Sequence, residues 1–111
     1  MLSSMRFAFC FLCVVMALSS RACFGNLVVS CDFRSSENRC QERRGTQAAN
    51  PLAFQSICET ANGVYSSNAC PTASIVAGCR DGDVTDWYYP PRTMAEVQAE
   101  CAEDGWTFVT P

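Results

Sequence analysis

Six cysteines within the 86 residues from Asn26 to Pro111 constrain this chain more than any other feature. A domain of that size buries only a modest share of its surface and is marginal on core packing alone. An even count of cysteines in so short a stretch reads as three disulfides closed in an oxidising compartment. Loops of about ten to twenty residues would each contribute around 3 kcal/mol in the chain-entropy picture, together comparable with the net stability of a typical domain.

The cysteines fall into two sets of similar spacing. Cys31, Cys40 and Cys58 are separated by eight and seventeen residues, and Cys70, Cys79 and Cys101 by eight and twenty-one. The likeness continues past the third cysteine, where "CETANGVYSS" and "CAEDGWTFVT" set Asn62 against Gly105 and Tyr65 against Phe108. Asn and Gly are the residues that most readily take the left-handed conformation closing a helix. Each third cysteine also lies in a helical pattern. Asn50 and Pro51 give an N-cap and first position, and Phe54, Ile57, Cys58 and Ala61 then share one face. Thr93 and Glu96 form a capping box, with Met94, Val97 and Cys101 on one face and Gly105 as the stop.

Short segments of strand character precede the helices: "LVVSCDF" and "RCQERR" around the turn "SSEN", then "ACPT" and "SIVAGC" in the second set. "GVY" and "WTFV" leave the helices and are expected to join the sheet, with "SSN" (66–68) as a hairpin turn towards Ala69. The expected fold is a small disulfide-rich α+β domain over residues 26–111. It consists of two pseudo-repeats, 31–69 and 70–111, each with short antiparallel strands and one short helix. Fifteen pairings of six cysteines are possible. Two-fold symmetry favours Cys40–Cys58, Cys79–Cys101 and Cys31–Cys70; the rival set is Cys31–Cys101, Cys58–Cys70 and Cys40–Cys79.

Residues 1–25 read differently. One charge in Met1–Arg6, the apolar run "FAFCFLCVVMAL" and the exit "SSRACFG" are the three parts of a secretory signal peptide. Twelve apolar residues reach only about 18 Å, short of a membrane span, so no stable span is expected after cleavage. Cleavage after Gly25 leaves six cysteines, and cleavage after Ala22 keeps Cys23 as a seventh, able to anchor or bridge the protein. Gly25 is the favoured site. The protein is then secreted, or periplasmic in a bacterium.

Composition excludes several chemistries. Beyond Gly25 there are six Arg, no Lys and eleven acidic residues, a net charge near −5, which repels nucleic-acid backbones. "RCQERRG" is accordingly a solvated strand or turn. With no histidine and no tight C-x2-4-C pair in the mature part, zinc, thiol-nucleophile and triad chemistry lose their usual groups. Asp81, Asp83 and Asp86 gather around Gly82 as a polar turn between strands rather than a calcium loop. Glu100, Glu103 and Asp104 form the wet face and end of the second helix. No catalytic or metal residues and no cofactor are expected.

One segment points to binding. In "DWYYPPR", Trp87 and Tyr89 share one strand face, Tyr88 takes the other, and Pro90–Pro91 stops the pairing. Trp87, Tyr88, Tyr89 and Arg92 are the candidate contact surface, of residue types that dominate binding hot spots.

"CPTASIVAGC", then "WYY", then a helix ending C-x3-G before an aromatic, resembles a group of uncharacterised, cysteine-rich exported bacterial proteins. The likeness spans roughly residues 31–110. It implies export and a disulfide framework, and no activity. The expected function is a monomeric, non-enzymatic secreted binding module for an extracellular protein or glycan. The alternatives are a secreted inhibitor or toxin-like effector, favoured by exposed loops at 81–92, and a small envelope component held through Cys23.

Overall fold

The computed structural model describes residues 26–111. The expected signal peptide, both cleavage positions and Cys23 lie outside the described residues. The elements run β1 (Val28–Phe33), a one-turn helix α1 (Arg34–Glu37), β2 (Arg39–Arg44), a 3-10 turn (Gly45–Ala48), α2 (Pro51–Thr60) and β3 (Val64–Ser66). They continue with β4 (Ala77–Asp81), β5 (Val84–Tyr88), α3 (Met94–Asp104) and β6 (Thr107–Val109). The six strands form one antiparallel sheet in the order β3-β1-β2-β5-β4-β6. This is a small, disulfide-rich α+β domain.

Its helix signals are those read from the sequence. The Asn50 side chain accepts from the Ala53 N–H at 3.3 Å with Pro51 next to it. Thr93 accepts from the Glu96 N–H at 3.3 Å while its hydroxyl donates to the Glu96 carboxylate at 3.0 Å. Asn62 (φ 64°) and Gly105 (φ 71°) both take the left-handed conformation after their helices. The buried stripe of α2 is narrower than the periodicity suggests: Phe54 and Cys58 are buried, but Ile57 is 62% exposed. A ten-residue helix resting on the edge strand β3 and its neighbour β1 offers the sheet only a two-position contact. On α3, Val97 and Cys101 are buried and Met94 is exposed.

The register gives both halves one plan. Across the sheet, Tyr65, Cys31, Gln41, Asp86, Cys79 and Phe108 stand opposite one another in a single row. The row reads the same from either end, as aromatic, cysteine and polar residue meeting at the β2–β5 seam. Opposed residues share a face, and the bonds Cys31–Cys58 and Cys79–Cys101 tie that face to α2 and α3. Both helices therefore cover the same side of the sheet, α2 over β1 and β3, α3 over β4 and β6.

The cysteine correspondence, the pairings and some strand bounds differ from those expected from the sequence. Cys31 corresponds to Cys79, not Cys70, because both sit at the same register point of the first strand of their halves. The Cys40–Cys58 and Cys31–Cys70 pairs do not form, nor do those of the rival set; the third bond is Cys40–Cys70. Cys40 stands opposite Asp32 while Cys31 stands opposite Gln41, so the two cysteines point to opposite faces. A helix on the Cys31 face can reach Cys31 alone. "ACPT" forms no strand, "SIVAGC" supplies only the start of β4, and "VTDWY" is β5. Gly82 (φ 57°) and Asp83 make the two-residue turn between β4 and β5. "SSN" makes no hairpin back into the sheet, since 67–76 is an irregular crossing.

Candidate functional site

The aromatic ledge is not on the surface. Trp87, Tyr88 and Tyr89 are only 9%, 3% and 4% exposed. Their alternation is as expected: Trp87 and Tyr89 pack with Cys40 and Cys70 on the face away from the helices, and Tyr88 packs with Val97 and Cys101 on the helix face. Trp87 lies over Gly78, where an added Cβ would come within 2.7 Å of the indole. The Tyr89 hydroxyl donates to the Pro71 carbonyl at 2.6 Å. Burial pushes both Tyr88 and Tyr89 up to about 12. Arg92 stacks over the Tyr88 ring at 4.7 Å and pairs with Glu100 and, at 3.7 Å, Glu96. These four side chains pack or pair within the fold, so the exposed aromatic ledge expected at 87–92 does not form. The missing information was what covers the outer face of β5.

The helix face between α2 and α3 is polar but internally satisfied. Gln41 donates to Asp86 at 3.0 Å and accepts from Arg43 at 3.1 Å. Arg39 lies 3.5 Å from Asp86 and 2.6 Å from Glu37. Arg39 and Arg43 also cover the rings of Phe33 and Phe54 at 4.6 and 4.5 Å. Asp86 titrates above the ordinary 3.8, chiefly through burial, which outweighs the Gln41 hydrogen bond and Arg39; Glu100 and Asp104 add repulsion. A raised carboxyl contributes stability below its unfolded pKa and loses it as pH rises through the folded one. Asp86→Asn is therefore expected to gain stability relative to the unsubstituted protein as pH rises from 3 to 7, and to be no less stable than it at pH 7. Urea midpoints measured from pH 3 to 7 check this, and a variant that is destabilised at pH 7 with an unchanged slope would refute it.

The opposite face carries the candidate site. There the crossing segment 67–76 lies over the sheet, pinned by Cys40–Cys70 with its Cα atoms 6.0 Å apart. Beside it opens a cavity of about 340 Å3. Trp87 and Ile75 give it an apolar wall; Glu42, Arg44 and Arg80 give it charge; Thr110 and Pro111 close one side. Glu42, 5% exposed, has both oxygens engaged, one accepting the Cys70 N–H at 3.0 Å and the other the Arg44 Nε–H at 2.9 Å. Arg80 Nε donates to the buried Thr85 hydroxyl at 3.0 Å.

Glu42 and Arg44 belong to the segment expected as a solvated strand or turn, and Arg80 had no expected role. The signal for the first two was the period of two in "RCQERR", which sets Glu42 and Arg44 on the same strand face as Cys40. Asp81 ends β4 and Asp83 lies in the turn, both exposed; Glu103 and Asp104 are exposed on α3, and Glu100 serves Arg92. Among the described residues no cluster of His, Cys, Asp and Glu is arranged to hold a metal. No helix among them is long and apolar enough to cross a membrane.

Compared with known proteins, the chain matches no family model, no curated protein and no solved structure.

Proposed function

We propose that this protein is a secreted, non-enzymatic binding module whose ligand enters the cavity beside Cys40–Cys70. The observation that carries the reading is the cavity itself. An apolar wall and a few oriented polar groups, fixed by a disulfide rather than by a mobile loop, are the make-up of small-ligand sites. At about 340 Å3 it lies at the small end of the range for such sites. Three disulfides fit an oxidising compartment, which supports export.

The ligand belongs to the extracellular space, as a free small molecule or as the exposed tip of a glycan or protein. The inhibitor reading leaned on exposed loops over 81–92. Because β5 takes 84–88 into the sheet, only 81–83 and 90–91 stand out as exposed stretches there.

A fragment screen by two-dimensional NMR on the oxidised protein tests the reading. Hits are expected to shift the Trp87 indole and the amides of Ala69, Thr72 and Ile75 together. Hits confined to the helix side, around Ile57 and Met94, would remove the cavity as the binding site.

A further inference from the structure

The two arginines of the cavity are held in a particular way. Each is anchored through Nε alone, Arg44 on Glu42 and Arg80 on the Thr85 hydroxyl. Among the described residues, their terminal amino groups make no hydrogen bond to the protein, and Arg80 is in no ion pair. A guanidinium fixed at Nε keeps its outer edge oriented, and that edge suits a carboxylate.

Each Glu42 oxygen already accepts one hydrogen bond, from the Cys70 N–H and from the Arg44 Nε–H, so the carboxylate holds the crossing segment and Arg44 in place. Among the side chains lining the cavity, two arginines stand against one glutamate, a positive balance of one on a chain whose described side chains sum to near −5. A compact monoanion is attracted at such a place, while a long polyanion meets the acidic remainder. Next to the charges stand the Trp87 ring, Ile75 and the Cys40–Cys70 bond, an apolar surface for a flat body.

We propose that the cavity takes a small carboxylate anion borne on a flat or ring-shaped body, with the carboxylate between Arg44 and Arg80 and the body against Trp87. This deepens the binding-module reading and rests on it. Two sources share this chemistry, an aromatic acid and an acidic sugar.

The test titrates the 15N-labelled, oxidised protein with benzoate and with glucuronate, and in parallel with neutral benzamide and methyl glucoside. At least one acid is expected to shift the Trp87 indole and the arginine Nε–H signals saturably, about tenfold more tightly than its neutral partner. Its binding weakens as salt is raised. Arg80→Gln is expected to weaken that acid about tenfold and leave the neutral partner unchanged, with Arg80→Lys in between. The Arg80 side chain is exposed, so these variants fold. Preference for benzoate assigns an aromatic acid, and preference for glucuronate an acidic sugar. Equal binding of acid and neutral partner, unaffected by Arg80→Gln, overturns the anion assignment while the cavity remains a binding site. Shifts that bypass Trp87 and both arginines overturn the assignment and the cavity together. No shift with either acid up to its solubility limit overturns the anion assignment.

Discussion

Replacing both Cys40 and Cys70 by alanine is expected to lower stability by about 3.5 kcal/mol and to abolish the proposed ligand uptake by the cavity. The bond closes a loop of 30 residues, for which chain entropy alone gives a cost of that size. Both sulfurs are buried against Trp87 and Tyr89, so the loss also loosens that small core. What remains to hold segment 67–76 is the Glu42–Cys70 and Tyr89–Pro71 hydrogen bonds, the Val76 N–H to the Tyr88 carbonyl at 2.9 Å, and the packing of Ile75 and Val76. The helices should stay in place, because Cys31–Cys58 and Cys79–Cys101 hold them on the other face. Removing both cysteines together avoids a stray thiol. Urea unfolding gives the stability, and near-ultraviolet circular dichroism reports the order around Trp87. A loss under about 1 kcal/mol, well below the chain-entropy value, with the dichroism unchanged, would show that the crossing segment holds itself.

Gly63→Ala is the second large effect, expected to cost about 3 kcal/mol, at the upper end of the range for overpacking. A Cβ on Gly63 would stand 2.9 Å from Cys58 Sγ and 2.8 Å from the Phe33 ring, and closer still to Cys31 Sγ. A side chain can swing out of the way of an intruding methyl; a disulfide joining a strand to a helix cannot. Gly105→Ala provides the contrast. Its φ of 71° strains an alanine, but open space surrounds it, so its cost is expected at only about 1 kcal/mol. For a domain of this size the difference amounts to roughly 8 °C or more in the melting temperature. Equal melting temperatures for the two variants would mean that the contact around Gly63 relaxes freely.

Gly63 also shows why part of the fold was legible and part was not. Its neighbour Asn62, like Gly105, could be read as a helix stop because that choice is local: one residue, one backbone conformation. The caps at Asn50 and Thr93 belong to the same class. So does the division of Trp87 and Tyr89 from Tyr88, since alternate residues of a strand face opposite ways whatever the strand pairs with. Gly63 itself carries no such mark. Its requirement comes from a disulfide whose cysteines lie 27 residues apart.

The cysteine spacing misled for a related reason. Cys31–Cys40 and Cys70–Cys79 span the same number of residues but different objects, a hairpin in one case and the entry to β4 in the other. Strand parity, fixed by the register of Cys31 with Gln41, decides which cysteines can meet. Register is a property of two strands, so it cannot be counted along one.

The sequence by itself determined that this domain relies on three disulfides, that two capped helices carry Cys58 and Cys101 on their buried faces, and that it lacks the histidines of common catalytic and metal sites. These follow from residue type and short-range geometry. Only the tertiary structure decided that Cys40 meets Cys70, that Trp87 lines a cavity instead of standing on the surface, and that Glu42, Arg44 and Arg80 converge there. Each of those depends on which face of the sheet the 67–76 crossing covers. That choice is made by contacts between residues some thirty positions apart, such as Glu42 with Cys70.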